Sequence, residues 1–528
     1  SGGTVPRGSI DADSVPLGSP LRRAGSSSMF NDRFDDIIEE TRRTCRAART
    51  PFVDFLNFAE MRQLEWGSVN RGGVLRPGRH EAARLGLGFF SVMFGDGHDG
   101  PASGGPLQWQ VFPPAGVQSS DIVQGELGDC WFLSAVAVLA HSRRELLERL
   151  FLVREPNDEG VFAVKLWSHG DWHPLIIDGN FPVVHGTYLR YGRCKGNPAL
   201  WVPLLEKAFA KVHGGYKSIE GASCDEAFYA LTGMPCERII LPSSDLGSGV
   251  LEGRGDGGRT FDVDDIFARL SSFVTGSCVM GASCGGSSLS NTTARSLGLE
   301  PNHAYSVLNV CVCRNTRNRL VQLRNPWGRS KYFGVVPPAI DDLSRAAAWP
   351  PSSPSTGYGG GSPAETGVFW MQYEVFLNAF SNIVVCITRP FTETLVARHI
   401  ECTPLADGLP GNPQRDVVVF RVNRPTVVHI LASQSPLRLR AAAFADVTAS
   451  TLPEGNLSAR LRAVPSPLGT YFDLQVVIVR LPSPPLQKGG SEGPPPAIVN
   501  MSRASCAAVA RHEEMLDAGT YAVLTFSI

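Results

Sequence analysis

A polar, glycine-containing segment stands directly before an apolar run in the sequence QGELGDCWFLSAVAVLA, which spans residues 124–140. The apolar residues from Trp131 onward are typical of a buried helix, and they place Cys130 in its first turn. Gly125 and Gly128 let the backbone turn tightly before this helix and let another chain approach closely. The pattern therefore predicts a cysteine that is presented at a helix N-terminus.

The chemistry of this position favours a nucleophile. The partial positive charge at a helix N-terminus lowers the pKa of a thiol and favours the reactive thiolate. Gln124 lies upstream of Cys130, and we expect its amide to form an oxyanion hole together with the backbone N–H of Cys130. A lone cysteine is more often an ordinary buried thiol, but the surrounding segment favours the catalytic interpretation.

A thiol nucleophile needs a base and a group that orients the base, which are distant in sequence but close in the fold. His303 opens the strand-like run HAYSVLNV, and Asn325 ends the run LVQLRN before Pro326. An Asn amide can hold one imidazole nitrogen and leave the other facing the thiol. Trp327 is expected to shield that hydrogen bond from water. His213, in KVHGGY, is a rival base, but it falls in a helical segment without a following strand.

These segments together resemble the calpain family of papain-like cysteine proteases. QGELGDCW, HAYS and LRNPWG look like the three catalytic motifs in the family's order, and LWVPLLEKAFAKVHGGY and GVFWMQYEVFLNAF agree with it. The resemblance covers roughly residues 105–390 and implies an intracellular endopeptidase that cuts proteins at limited sites through a Cys-His-Asn triad. Asn302 departs from the family, because most relatives have Gly there. We expect this change to alter the loop without removing the base.

The resemblance implies an α+β fold with a papain-like protease core of two subdomains, followed by a β-sandwich of the calpain C2-like type. Short strands with Pro and Gly turns after Pro390 agree with a sandwich. We expect a disordered, tag-like segment at 1–28 and a helical and linker region at 29–104. The subdomain of Cys130 is expected at 105–235, the subdomain of His303 and Asn325 at 236–390, and the sandwich at 391–528. Residues 350–363 and 482–496 are rich in Pro, Ser and Gly and are expected to be exposed loops.

The resemblance also implies a first calcium site. Asp121 and Glu206 match its two acidic ligands by position, and Pro114 and Gly116 match its two main-chain carbonyl ligands. Hard oxygen ligands of this kind suit calcium. The alternative is that the two acids are simply solvated charges.

A second calcium site is expected to be lost. Arg329 and Lys331 stand where the family usually has acids, and we expect these cations to take the electrostatic place of the ion. No EF-hand loop pattern occurs in the sequence. The resemblance is therefore to an atypical, non-EF-hand calpain, for which no EF-hand small subunit is expected.

Composition limits the other classes of partner. The 528 residues carry 49 basic and 50 acidic side chains, which gives no overall field for nucleic acid. The sequence has no apolar run of membrane-spanning length and no signal-peptide pattern, so a cytoplasmic location is expected. The 12 cysteines lack disulfide-rich spacing, which agrees with a reducing compartment. Protein substrates are expected, with no organic cofactor, and the sandwich is expected to contact other proteins or a membrane.

Two further functions compete with the protease. One is a catalytically silent calpain-like scaffold that binds partners through its sandwich. The other is a papain-like acyl transferase such as a transglutaminase. That class usually orients its histidine with Asp, whereas this sequence supplies Asn325.

Overall fold

The computed structural model divides the chain into two compact units, each with its own set of strands. The large unit comprises the described residues between 28 and 388, and the small unit comprises residues 21–23 and the described residues from 395 onward. The described residues are 21–23, 27–54, 65–69, 75–77, 109–168, 171–184, 188–195, 199–241, 252–255, 260–313, 316–332, 366–388, 395–397, 418–433, 474–481, 496–501 and 509–527.

Helices occur in the large unit, and they begin where the sequence changes from polar to apolar. Asp262 caps one of them, because its side chain accepts a hydrogen bond of 2.6 Å from the backbone N–H of Asp265. The α-helices are α1 Ser27–Ala48, α2 Cys130–Ser142, α3 Arg144–Glu148, α4 Trp201–Val212, α5 Cys224–Thr232, α6 Val263–Thr275, α7 Ser288–Ser296 and α8 Tyr373–Ala379, and 3-10 turns span Ser119–Asp121 and Tyr216–Ile219.

Among the described residues the strands pair antiparallel, apart from one isolated parallel bridge. They are β1 Leu21–Arg23, β2 Glu65–Val69, β3 Leu75–Pro77, β4 Ile122–Val123, β5 Val161–Ser168, β6 Asp171–Asp178, β7 Asn180–Val184, β8 Tyr188–Leu189, β9 Arg193–Cys194, β10 Cys236–Ile240, β11 Glu252–Gly255, β12 Thr260–Asp262, β13 Val279–Cys284, β14 His303–Val312, β15 Arg319–Arg324, β16 Val368–Gln372, β17 Phe380–Cys386, β18 Leu395–Ala397, β19 Val418–Val422, β20 Thr426–Ser433, β21 Leu474–Leu481, β22 Ala497–Met501, β23 Val509–Leu516 and β24 Gly519–Ser527.

An eight-stranded sheet carries the later part of the large unit, in the order β12-β11-β10-β17-β13-β14-β15-β16. All of its strands come from residues 236–386. Helix α2 packs against β13, β14 and α5, and every residue from Trp131 to Ala140 is buried. A helix that is apolar on all sides must be enclosed. One continuous core therefore joins α2 to the sheet.

The N-terminal helix, in the predicted helical and linker region 29–104, is part of the large unit. Helix α1 buries Ile38 and Cys45 in the main core. After it, the Phe52 N–H donates to the Glu159 carbonyl at 2.7 Å, and Asp54 pairs with Lys211 of α4 at 2.8 Å. The apolar stripe of an amphipathic helix needs a surface to cover, and here the protease core provides it. Most of residues 55–108 lie outside the described residues.

Asp54 belongs to a buried ionic cluster beneath α4. The Asp54 N–H donates to Oδ2 of Asp178 at 2.9 Å, and Asp178 in turn pairs with Lys207, both side chains being fully buried. The Lys211 ammonium also donates to the Ile176 carbonyl at 2.7 Å. A buried charge is tolerated only when it is paired and hydrogen-bonded, as these are.

The described part of the small unit has two sheets that share a core, β19-β24-β21-β22 and β20-β23, in addition to the two-stranded sheet β1-β18. Its core consists of residues from strands of both sheets, which are Val422, Ile478, Leu516 and Tyr521. Strand β1 pairs with β18, although the sequence predicted disorder throughout 1–28. The rest of that segment as far as residue 26, and almost all of the predicted loops 350–363 and 482–496, lie outside the described residues. No helix in the described ranges combines the length and apolar character needed to cross a bilayer.

Candidate active site

Cys130 is the first residue of α2, as its sequence context predicts. The Asp129 carbonyl accepts the backbone N–H groups of Phe132 and Leu133 at 2.9 and 3.1 Å, which begins the helix. The indole N–H of Trp131 donates to the Ile219 carbonyl at 3.0 Å. These contacts fix the backbone on both sides of the half-buried thiol.

Helix α2 is joined to β14 by a reciprocal pair of serine hydrogen bonds. The Ser134 hydroxyl donates to the Ala304 carbonyl at 2.9 Å, and the Ser306 hydroxyl donates to the Ser134 carbonyl at 2.8 Å. The backbone of Ala304 also lies close enough to the Cys130 thiol to lower its pKa. The structure therefore brings the predicted nucleophile to the residue that follows His303.

The side chains of His303 and Asn325 form a hydrogen bond with each other. Nε2 of His303 lies 3.0 Å from Oδ1 of Asn325, and both side chains are buried. An amide oxygen only accepts hydrogen bonds, so the geometry assigns the ring proton to Nε2 and leaves Nδ1 as the proton acceptor. The backbone N–H of Trp327 donates to the same oxygen at 3.0 Å. The centroid of the Trp327 ring lies 4.9 Å from that of the His303 imidazole. Trp327 thus covers the imidazole next to this hydrogen bond.

The turn after β15 holds Asn325 through its backbone. The Asn325 N–H donates to the Gly367 carbonyl at 2.9 Å, and the Gly328 N–H donates to the Asn325 carbonyl at 3.0 Å. Gly367 has φ +73°, and a Cβ there would lie 2.8 Å from the Asn325 carbonyl oxygen. A larger residue at 367 would therefore displace the turn that positions the orienting amide.

Asn302, where the resemblance implies Gly, has a left-handed backbone conformation. Its φ is +55°, in the left-handed region, and its N–H donates to the Cys284 carbonyl at 2.9 Å. Asn tolerates this region better than most other residues with a side chain. The substitution therefore preserves the backbone that leads into His303.

Burial keeps the two reacting groups neutral in this conformation. It raises the pKa of Cys130 to about 11, and the neighbouring Asp129 carboxylate raises that pKa further, against the lowering effect of the Ala304 backbone. Burial also lowers the pKa of His303 to about 4, with the Asn325 hydrogen bond partly offsetting it. At neutral pH the site therefore holds a thiol and a neutral imidazole, whereas the position at a helix N-terminus alone predicts a thiolate; here the effect of burial on the pKa of Cys130 is the larger one.

Gln124 is tied to the same turn as Asn325. Its backbone N–H donates to the Pro326 carbonyl at 3.0 Å, and its buried side-chain Nε2 donates to the Leu127 carbonyl at 2.6 Å. A primary amide has two N–H groups, so one remains for another acceptor. The Gln124 amide is thus held in one orientation, between the turn and the segment leading to Cys130.

The two predicted acidic calcium ligands both contact the segment 192–195, Asp121 through its main-chain carbonyl and Glu206 through its carboxylate. Oδ2 of Asp121 accepts the Gln118 N–H at 3.1 Å, and the main-chain carbonyl of Asp121 accepts the Lys195 N–H at 2.7 Å. Both carboxylate oxygens of Glu206 accept the Gly192 N–H, at 2.9 and 3.0 Å. Among the described residues, no group of three or more His, Cys, Asp and Glu side chains is arranged to hold a metal.

Glu206 also meets Asp129, the residue before the nucleophile. Asp129 is fully buried and Glu206 is 1% exposed. Burial raises the pKa of Asp129 to about 7, and burial together with the Asp129 charge raises that of Glu206 well above its ordinary value. Two facing carboxyl groups of this kind need a shared proton or a cation, so the donor chemistry fits an oxygen-liganded ion.

The loop that carries the two predicted carbonyl ligands already contacts a cation. Pro114 is exposed, and Gly116 has φ +74°. Between them, the Ala115 carbonyl accepts a hydrogen bond of 2.8 Å from the Arg144 guanidinium. Arg329 and Lys331, at the predicted lost site, are both exposed.

The rival base His213 lies apart from Asn325 in its contacts. It is buried at the end of α4, where Nδ1 lies 2.7 Å from the Phe209 carbonyl and the ring lies 4.4 Å from the Phe209 ring. His303 is the histidine that is paired with Asn325.

The sequence patterns did not identify two residues beside the candidate site, Ser134 and Asp129. Ser134 was read as part of an apolar helix, and Asp129 as part of the polar segment before it. A serine inside an apolar run is a usable signal, because a buried hydroxyl needs a partner. The position of Asp129 against Glu206 had no local signal.

The chain belongs to the calpain family of cysteine proteases, which confirms the resemblance. A sequence model described as "Calpain family cysteine protease" matches residues 105–387. The "Calpain-type cysteine protease DEK1" of Arabidopsis thaliana is 33% identical over 276 residues, which cover 51% of this chain and 12% of that protein. Calpain-10 of Rattus norvegicus is 30% identical over 300 residues, which cover 55% of this chain and 41% of that protein. The chain therefore spans less than half the length of these relatives.

Proposed function

We propose that this chain is a cysteine endopeptidase that hydrolyses peptide bonds in proteins through Cys130, His303 and Asn325. The observation that carries the proposal is the hydrogen bond between His303, the first residue of β14, and Asn325. The next residue of β14, Ala304, lies beside the Cys130 thiol. The family membership supports proteolysis as the class of reaction.

In the proposed reaction, Nδ1 of His303 takes the thiol proton as Cys130 attacks the peptide carbonyl carbon. The Gln124 amide and the Cys130 backbone N–H stabilise the negative oxygen of the tetrahedral intermediate. The imidazolium then gives its proton to the leaving amine, and the acyl group stays on sulfur. His303 next activates a water molecule, which releases the acid and restores the thiol. Asn325 holds the ring in the required orientation throughout.

The neutral resting pair gives substrate binding a role in activation. In this conformation burial disfavours both the thiolate of Cys130 and the imidazolium of His303. Proton transfer produces two opposite charges together, and they stabilise each other. We infer that an ordered substrate drives this transfer, because it brings the carbonyl that consumes the thiolate.

The wider architecture belongs to the same proposal. The Cys130 part and the sheet of residues 236–386 would form the two papain-like subdomains, with the substrate in a cleft between them. The two-sheet unit after residue 395 would be the C2-like sandwich. Calcium at Asp121, Glu206 and the carbonyls of Pro114 and Gly116 would neutralise the carboxyl pair beside the nucleophile. A cytoplasmic location remains a prediction.

Paired alanine variants test the proposal. Cys130→Ala and His303→Ala should each abolish cleavage of a fluorogenic peptide and of casein, while the circular dichroism spectrum stays unchanged. His213→Ala is the matched control, and it should retain cleavage wherever it folds. An epoxide probe should label the parent chain and fail to label Cys130→Ala. A folded parent chain that neither cleaves nor takes the probe would favour the silent scaffold, and amine incorporation without cleavage would favour a transferase.

A further inference from the structure

Two cysteines face each other across neighbouring strands, away from the catalytic site. In the antiparallel pair β10–β17, Cys236 is directly opposite Cys386. Ile387 and Pro235 are the next opposing residues, and the Ile387 N–H donates to the Pro235 carbonyl at 2.9 Å. Hydrogen-bonded and non-hydrogen-bonded pairs alternate along such a ladder. Cys236 and Cys386 therefore form a non-hydrogen-bonded pair, whose side chains approach most closely.

Both sulfur atoms lie on the face of the sheet that packs against α5. Sγ of Cys386 is 3.5 Å from the Thr232 hydroxyl, and Sγ of Cys236 is 4.0 Å from the Asp225 carbonyl. Thr232 and Asp225 both belong to α5. Arg238, two residues along β10, makes an ion pair of 2.9 Å with the same Asp225. The two thiols thus share one side of the ladder.

The separation expected for this pair suits a disulfide. Non-hydrogen-bonded partners have Cα atoms about 4.5 Å apart, and disulfides join Cα atoms about 4.4 to 6.8 Å apart. The two cysteines differ in their exposure to solvent, because Cys236 is half-buried and Cys386 is fully buried. An oxidant in solution can reach the first thiol, and the second lies beside it.

We propose that Cys236 and Cys386 are a dithiol site that closes reversibly to a disulfide by exchange with a low-molecular-weight disulfide such as oxidised glutathione. The Cys236 thiolate attacks one glutathione sulfur, which forms a mixed disulfide and releases one glutathione. The Cys386 thiolate then attacks the Cys236 sulfur and releases the second glutathione. Two protein thiols are oxidised, one glutathione disulfide is reduced, and the two thiol protons end on the released glutathiones.

Closing this bond has a structural consequence. Strand β10 is the first strand after α5, and β17 is its neighbour in the eight-stranded sheet. A covalent link at Cys236 and Cys386 would close a loop that contains His303 and Asn325. Such a link restricts the unfolded chain and stabilises the sheet that carries both residues.

Peptide mapping of the full chain tests the proposal. The chain carrying Cys130→Ala, which removes the reactive nucleophile, is equilibrated with reduced and oxidised glutathione in different ratios, alkylated, and digested without reduction. A cross-linked peptide containing Cys236 and Cys386 should appear in the oxidised buffers and disappear with dithiothreitol. The oxidised chain should melt roughly 5 °C or more above the reduced chain.

Two serine variants separate this pair from general oxidation. Cys236→Ser should abolish both the cross-linked peptide and the Tm rise. Cys311→Ser is the control, because Cys311 is similarly half-buried but lies opposite Leu320, and it should retain both effects. The proposal is overturned if both thiols stay alkylatable in the most oxidised buffer. It is equally overturned if Cys236 stops at the mixed disulfide with glutathione.

Discussion

The side-chain oxygen of Asn325 lies 3.0 Å from Nε2 of His303. That oxygen also accepts the backbone N–H of Trp327 at 3.0 Å. One acceptor atom thus joins the histidine to the turn that follows β15, and the orientation of the ring depends on the backbone of that turn.

Asn325→Ala should lower kcat by roughly 10²- to 10⁴-fold, because the ring would lose the acceptor that sets its tautomer. KM should change little, since the proposed role of Asn325 is to hold His303 and not to bind the substrate. Steady-state kinetics on a fluorogenic peptide measures both quantities. Trp327→Phe keeps the backbone N–H and is the control, with a much smaller expected loss. An unchanged kcat in Asn325→Ala would remove the orienting role.

Gln124→Ala should lower kcat by roughly 10²- to 10³-fold, the usual loss when one oxyanion donor is removed. Binding of the substrate should change little, because the donor meets full negative charge only in the transition state. Gln322→Ala, on β15, is the control and should leave kcat near the parent value. A raised KM with an unchanged kcat would mean that Gln124 holds the substrate instead.

Calcium should bind once per chain. Isothermal titration of the full chain carrying Cys130→Ala should show a single binding event, which Asp121→Ala or Glu206→Ala abolishes. Lys331→Glu should not restore a second event, because one carboxylate cannot supply the roughly six to eight oxygens that calcium takes. Two ions bound with similar affinity would contradict the predicted loss of the second site.

Asp129→Asn should stabilise the protein most at high pH. Burial raises the folded-state pKa of Asp129 to about 7, above its ordinary value of 3.8. A raised pKa contributes stability below the unfolded-state pKa, and this is lost as pH rises through about 7. The gain in Tm over the parent chain, measured with a calcium chelator present, should therefore be larger at pH 8 than at pH 5.

Asp264→Asn is the matched control for that measurement, because Asp264 is 86% exposed and lies in a surface ion pair. Its Tm should differ from that of the parent chain by a similar small amount at both pH values. A larger gain in Tm for Asp129→Asn at pH 5 than at pH 8 would show that ionisation of the buried Asp129 carboxyl does not destabilise the folded protein.

The places of Cys130, His303 and Asn325 in the fold were predictable because each one stands at a boundary that the sequence marks. Cys130 is where a polar segment becomes an apolar helix, and His303 and Asn325 open and follow strands that run into the core. Such changes in polarity are local signals of where an element starts or ends. The turn that holds Asn325 was marked by Pro326 and Gly328.

The contacts between distant segments were not predictable in the same way. Asp129 meets Glu206, and Cys236 faces Cys386, only because the tertiary fold brings helices and strands together. The sequence of helix α1 predicts an apolar stripe, but it does not predict which surface the stripe packs against. Strand register likewise depends on the whole sheet and not on one strand.

The buried pairing of Asp54 with Lys211 has a practical consequence for where a fragment of this protein can be cut. The family match begins at residue 105, but the cluster beneath α4 includes a carboxylate from a much earlier residue. A truncated chain starting at 105 would lack that carboxylate and the helix that covers part of the core. We therefore expect the shortest stable fragment to retain residues 28–54, so that domain borders drawn from family similarity alone would cut through a folded unit.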